Sequence, residues 1–314
     1  MTGKWLAVCS PEVRRDATVG PGEDGRLDRW LADRTGVGRK RAQAKIAAGE
    51  VWVDGRRGPK STTVIEGQRV EWTAFDDLRA VADPRVELSV VHQDGSLVIV
   101  DKPAFMSCHP LRAGETGTLA NGLLAAFPDM ANVGYSAREP GLVHRLDTET
   151  SGLVLCARTQ EAHRQLRNAL LRGEIEKTYL ALVAGVPEDQ RLEGWLYSDP
   201  HHRARVFVSP TPVGRARQAV TRVSVMNPGR AHTLVRASAP VAGRHQIRAQ
   251  LAAAGHPLAG DRLYGGASLP DLHRHFLHAE TLSLIHPANG GRLELESPLP
   301  EDLRAVCLHV GIEP

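Results

Sequence analysis

Apolar positions recur at helical spacing soon after the start of the chain. In "RLDRWLADRTG", Leu27, Trp30 and Leu31 fall at i, i+3 and i+4, which predicts an amphipathic helix stopped by Gly36. "GRKRAQAKIAAGE" predicts a second helix, with Ala42 and Ile46 inward and Gly49 at its end. "VWVDGRRGPKSTTVIEGQRVEW" then alternates as short strands around turns at Asp54-Gly55 and Glu66-Gly67. Residues 1–24 close on "VGPGEDG" and give only a turn-rich lead-in. "TAFDDLRAVADPR" (73–85) is polar enough for a linker.

A larger domain follows. "VELSVVHQDGSLVIVDKP" predicts two strands joined at Asp94-Gly95 and closed by Pro103. Compact apolar runs in "GLVLCAR", "KTYLALVAG", "HTLVRASAP" and "ARVFVSP" predict buried strands. "GTLANGLLAAFPDM" and "TQEAHRQLRNALLRGE" predict helices, the second burying Leu166, Ala169 and Leu170. "HQIRAQLAAAG" turns Ile247, Leu251 and Ala254 inward before a stop at Gly255. Strands and helices mix without regular βα alternation, so the expected class is α+β. The expected layout is a lead-in (1–24), a small domain (25–73), a linker (74–85) and a large domain (86–314).

With 314 residues, 42% of them hydrophobic, the chain can build a real core, which excludes general disorder. The net charge of +3 looks uninformative, but its distribution is not. Between Arg26 and Lys60 stand ten basic residues against four acidic ones, a local excess of six positive charges. Arg39, Lys40, Arg41 and Lys45 share one short helix, and Arg56 and Arg57 follow the next turn. Such a cluster can meet several phosphates together, whereas a small polar domain solvating itself with cations is the plainer alternative. Four scattered cysteines without a C-x-x-C pair suit free thiols in a reducing cytoplasm. No run approaches the roughly 18 apolar residues of a membrane span, and no signal peptide is evident, so the expected location is cytoplasmic.

The densest chemistry lies in "GLVHRLDTETSG", Gly141 to Gly152. Taken alone, Asp147 reads as a turn former or a cap. A serine hydrolase is not indicated, because Ser151 lacks a G-x-S-x-G elbow, and two-carboxylate glycosidase chemistry lacks its second acid. His273, His275 and His278, like the pair His201-His202, lack H-E-x-x-H spacing. His275 and His278 are expected on opposite faces of a strand, so these read as core or surface histidines rather than metal ligands. No Walker loop or G-x-G-x-x-G is present, so no nucleotide cofactor is indicated.

"VHRLDTETSG" resembles the catalytic motif of RNA pseudouridine synthases of the RluA type. "DKPAFMSCHP" is similar to the family's opening motif, "EKTYLALVAG" to its tyrosine block and "GRHQIRAQLAAAGHPLAGDRLYG" to its third motif. "LHAETLSLIHP" and "ESPLPEDL" resemble its closing strand region, and the order and spacing hold over about 230 residues. "RLDRWLA" and "GRKRAQAKIAAGEVWVDG" likewise resemble an S4 RNA-binding domain, with an αα-β arrangement.

The resemblance implies a mixed, largely antiparallel central sheet and isomerisation of uridine in RNA without cofactor or metal. It implies Asp147 as nucleophile, Arg248 as its ion-pair partner and Tyr179 as the face on which the uracil stacks. Arg145 would contact phosphate or fill the space left by the extruded base, while His144 and His245 would pack or hydrogen-bond. The basic residues Arg39, Lys40, Arg41, Lys45 and Arg56 would bind RNA. Large-subunit ribosomal RNA is the expected substrate of a monomeric enzyme, with transfer RNA or a non-catalytic RNA-binding role as alternatives. Two departures stand out. Phe105 replaces a customary Gly, implying another backbone path, and the third motif is one residue short beside Arg244.

Overall fold

The computed structural model describes residues 14–59, 61–75, 79–199, 202 and 204–314, so Lys60 and His201 lie outside the described residues. The chain divides into two compact units, Met1–Asp77 and Leu78–Pro314.

In the smaller unit the helical spacing holds. Helices span Leu27–Thr35 and Arg39–Ala47, the first closed by Gly36 at φ +69°. Leu27, Trp30, Leu31, Ala42 and Ile46 bury their apolar faces against Val51, Val70 and Trp72. Asp28 sits fully buried at the start of the first helix and accepts hydrogen bonds from Arg26, Arg39 and Gln43. Burial alone would raise its carboxyl, but these donors hold it far below the ordinary carboxylate range, tying the two helices together. A four-stranded antiparallel sheet runs Arg14–Thr18, Arg69–Thr73, Val51–Val53, Arg56–Arg57. The first of these strands corrects the reading of residues 1–24 as only a turn-rich lead-in. Its side chains are almost all exposed, so no alternation marks it, and backbone pairing alone makes it a strand.

The larger unit carries ten described strands. Their order is Val206–Ser209, Gln190–Ser198, Arg217–Pro228, His232–Ser238, Glu176–Ala184, Leu277–Ile285, Ser151–Ala157, Leu97–Lys102, Ser89–Gln93, with Arg292–Glu296 paired onto Leu277–Ile285. Every pairing is antiparallel except that of Leu277–Ile285 with Ser151–Ala157. This is the mixed, largely antiparallel α+β sheet the sequence implies. Helices Leu119–Ala126, Gln160–Arg172, Gln246–Ala253 and Glu301–His309 accompany it.

Three local readings change. The end of the expected linker belongs to this unit: Ala80 is buried and its N–H donates to the Ala137 carbonyl, while Asn121 donates to the Val81 carbonyl. Val206–Ser209 is an edge strand, only partly buried, rather than a core strand. Ala254 is exposed, because the helix ends at Ala253 and the chain turns away before Gly255.

The lone parallel contact is short, pairing His278 with Ser151 and Ala279 with Gly152. Gly152 has φ +113°, and a Cβ there would come within 2.2 Å of the Ala279 carbonyl oxygen. The close approach that opens this strand therefore requires glycine. A register shift at Thr178/Tyr179 interrupts the neighbouring pairing, which re-aims the tyrosine beside it. No described helix is long and apolar enough to cross a membrane.

Candidate active site

The segment between the Leu142–Cys156 bridge and the strand beginning at Ser151 carries the "HRLD" residues over the sheet, and the larger unit pins it from several sides. His144 accepts the Leu155 N–H through Nε2 at 3.2 Å. Cys108 Sγ lies 3.4 Å from both the N–H and the carbonyl of Leu146. Lys102, almost fully buried, donates to the carbonyls of Pro103, Met106 and Thr148 at 2.7, 3.0 and 3.3 Å. Burial presses this ammonium down to about 8. Downstream, His275 Nε2 meets Thr150 Oγ1 at 2.7 Å and His278 Nδ1 meets Ser151 Oγ at 3.0 Å. His275 precedes the strand instead of lying within it, and both histidines are core residues that hold this turn.

The pinned turn projects Asp147 toward the helix Gln246–Ala253. Arg248 donates through Nη1 to Asp147 Oδ2 at 2.8 Å. Its Nε and Nη2 form a two-pronged pair with Asp261 at 2.7 and 2.9 Å. The Asp261 side chain is 1% exposed and that of Arg248 8%, whereas Asp147 retains 23% toward the cleft. Asp261 thus fixes the guanidinium plane and leaves one N–H aimed at the exposed carboxylate.

Burial would raise the Asp147 carboxyl, but the charges on His245 and Arg248 outweigh it and hold the group below its ordinary value. Because burial lowers His245 as well, Arg248 is the standing charge at neutral pH. His245, left-handed at φ +53°, caps this helix and places Nε2 3.7 Å from Asp147 Oδ1. The Tyr264 hydroxyl accepts the Val206 N–H and lies 3.1 Å from His245 Nδ1.

Tyr179 and Arg145 line the same cleft of about 1230 Å³ as Asp147 and Arg248. Tyr179 is 4% exposed, and burial together with the Asp147 charge pushes its phenol well above the ordinary range. Arg145 does not pair with Asp147 among the described contacts. Its Nη1 meets Glu139 at 3.1 Å and His109 Nε2 at 2.5 Å, and its side chain stays 48% exposed. Arg244 lines the cleft and donates to the Arg205 carbonyl at 3.0 Å. At Phe105 the backbone is left-handed, φ +65°, a conformation that glycine adopts freely and phenylalanine rarely, and the residue is 60% exposed. Asp261, Tyr264 and Lys102 were not singled out by sequence reasoning, although Asp261 and Tyr264 stand in the third motif and Lys102 in the opening one.

In the smaller unit Arg39, Lys40 and Arg56 are exposed, and Arg41 lies 5.7 Å from the Phe75 ring centre. Lys45 departs from this group. Its ammonium is drawn inward onto Glu50 at 2.5 Å and Thr73 at 2.6 Å, so that charge is consumed within the fold.

A metal candidate exists only in form. His92, Asp94 and His286 converge, yet His286 Nδ1 accepts the N–H groups of Ala288 and Asn289. Its proton therefore sits on Nε2, which donates to Asp94 Oδ2 at 2.8 Å and has no lone pair to offer a cation.

Residues 96–253 match the family model described as RNA pseudouridylate synthase. Ribosomal large subunit pseudouridine synthase D of Neisseria meningitidis serogroup A is 35% identical over 251 residues; the match takes in 78% of this chain and 65% of that protein's length. The Escherichia coli K12 protein of the same name is 33% identical over 265 residues, covering 82% of this chain and 78% of that one. Among solved structures, human RNA pseudouridylate synthase domain containing 4 superposes with a TM-score of 0.58 at 23% identity, over 72% of this chain and 94% of that one.

Proposed function

The chain belongs to the RNA pseudouridylate synthase family, and on that premise we propose that it converts uridine to pseudouridine in RNA, with Asp147 as nucleophile and no cofactor. The observation that carries this reading is the Asp147–Arg248–Asp261 array at the mouth of the cleft that Tyr179 also lines. A carboxylate can attack only while ionised, and Arg248 keeps it so inside a partly dry site.

In the proposed reaction the C1′–N1 bond of the nucleotide breaks and a C1′–C5 bond forms. Asp147 bonds either to C1′ or to the uracil ring in the interval, and leaves with its electron pair when the C–C bond is made. The hydrogen on C5 is then lost as a proton and N1 gains one, so atoms and charge balance without oxidant or reductant. Tyr179, whose phenol burial and the Asp147 charge push well above the ordinary range, is proposed as the stacking face for the uracil and stands beside C5 when its proton leaves. Stacking a flipped base on an aromatic ring contributes about 1–3 kcal/mol, which offsets the cost of unstacking. Arg145, exposed at the cleft and held lightly by Glu139, is placed to exchange that carboxylate for a phosphate or for the vacated base position.

Large-subunit ribosomal RNA is the proposed substrate, a choice supported by the names of the relatives. The exposed cations Arg39, Lys40 and Arg56 of the small unit, with the half-buried Arg41, are proposed as an S4-like RNA-binding face. The proposed setting is a cytoplasmic monomer. Site-resolved pseudouridine mapping of ribosomal and transfer RNA tests this reading, in a strain whose only copy carries Asp147→Ala. Loss of one or more ribosomal sites is expected. Loss confined to transfer RNA overturns the substrate, and persistence of every site overturns the enzyme.

A further inference from the structure

The cleft holds a cation that the array around Asp147 does not use. Lys177 lies on the strand Glu176–Ala184, two residues before Tyr179, and lines the same cleft. Its residue is 4% exposed. Buried ammonium groups normally rest on a carboxylate or on carbonyl oxygens, as Lys102 rests on three and Lys45 on Glu50. Among the described residues, no hydrogen bond or ion pair reaches the Lys177 ammonium. The charge that acts on it is of the same sign: Arg167, from the helix Gln160–Arg172, also lines the cleft and opposes the Lys177 charge. Arg167 is braced by one bond from Nη1 to the Val143 carbonyl at 2.8 Å. His144 stands on the third side, and burial together with the Lys177 charge keeps it neutral.

An ammonium without an acceptor beside a second cation is costly in the free protein, and the cost is recovered when an anion enters next to both. The target chain supplies one negative group per nucleotide. We propose that Lys177, with Arg167 beside it, forms a phosphate subsite in the cleft that grips the RNA backbone next to the extruded uridine. This rests on the reading of the chain as an RNA-modifying enzyme. It adds a point of attachment separate from Asp147 and from the exposed cations of the small unit. Burial supports the role, since a desolvated lysine exchanges little water when phosphate arrives, and burial with the Arg167 charge beside it already presses its ammonium down to about 8.

The test compares Lys177→Met and Lys177→Arg in an Asp147→Asn background, so that RNA is bound but not converted. The probe is an unmodified transcript of large-subunit ribosomal RNA, titrated at several salt concentrations. Lys177→Met is expected to weaken binding by about ten- to a hundred-fold, the range for one charge-assisted contact. It should also flatten the slope of log affinity against log salt by about 0.7–0.9, the loss of one phosphate contact. Lys177→Arg should restore both. Thermal unfolding of the Met variant without RNA is expected to match or exceed that of the parent, because removing an unpartnered buried charge relieves the free fold. An unchanged salt slope in Lys177→Met, or a lower unfolding temperature without RNA, overturns the phosphate assignment. If the parent Asp147→Asn protein itself shows no salt-dependent binding, the RNA-enzyme reading fails instead.

Discussion

Replacing Arg248 by Lys keeps the positive charge and removes the fork, which separates the two contributions of this residue. The guanidinium makes three charge-assisted bonds of 2.7–2.9 Å to two carboxylates, one of them 1% exposed. A single ammonium cannot reproduce the two-pronged bond to Asp261 and also span to Asp147, and the buried partner will hold it. Asp147 then loses a bond worth about 1.5–3 kcal/mol, equivalent to roughly one to two pKa units. The sign follows from the causes: Arg248 lowers the Asp147 carboxyl and burial raises it, so losing the bond lets burial lift the group. A carboxylate nucleophile is active above its folded pKa and silent below it, so the acid limb of the rate profile moves to higher pH. Even at the optimum, a misplaced nucleophile is expected to cost on the order of a hundred-fold. Single-turnover rates on a ribosomal RNA transcript, from about pH 4.5 to about 8, bracket the ordinary carboxylate range. A variant that folds normally yet keeps the wild-type acid limb, or that loses only KM, would refute the assignment of Arg248 as the group that holds Asp147 ionised.

Other expectations are simpler to read. Asp94→Asn removes a carboxylate that accepts from His92, His286 and the N–H groups of Ser96 and Leu97, and that these bonds hold far below its ordinary value. Its contribution, about 1–3 kcal/mol by the worth of bonds to a charged group, is present above the unfolded carboxyl pKa and lost as pH falls toward the folded one. The variant should therefore show a flatter dependence of unfolding temperature on acid pH, and added zinc should change neither protein. Neutralising Arg39, Lys40 and Arg41 together should weaken RNA binding and flatten its salt dependence, whereas Lys45→Met should lower the unfolding temperature and leave the salt slope alone; the two measurements exchanging places would reverse the assignments. Phe105→Gly should raise stability by up to about 1 kcal/mol, because a left-handed backbone suits glycine and strains phenylalanine; a fall in unfolding temperature would show that the exposed ring makes a stabilising contact.

Legibility in the sequence followed the range of the forces involved. Helices closed by Gly36 and Gly173 were readable because apolar spacing and a terminal glycine are local signals. Asp147 and Arg248 were reachable through motif resemblance, although 101 residues separate them and no spacing rule joins them. Asp261 was hidden because a buried counterion looks like any turn aspartate until its partner is placed. Lys45 misled for a related reason: charge can be counted in the sequence, but whether an ammonium faces water or Glu50 is decided by tertiary packing. Strand Arg14–Thr18 escaped notice because an exposed edge leaves no hydrophobic trace. Phe105 shows the opposite limit, since the surrounding turn imposed its backbone on a residue that disfavours it.

The single parallel junction ties the reactive turn to a part of the chain made much later. Thr150 and Ser151 are clasped by His275 and His278, 125 and 127 positions downstream. A nascent polypeptide that has already emerged past Arg248 owns every proposed reacting group and still lacks the clasp that orients them. On the proposed reading competence would therefore await late synthesis, and a product cut short before Leu277 is expected not to convert uridine despite carrying the proposed reacting groups.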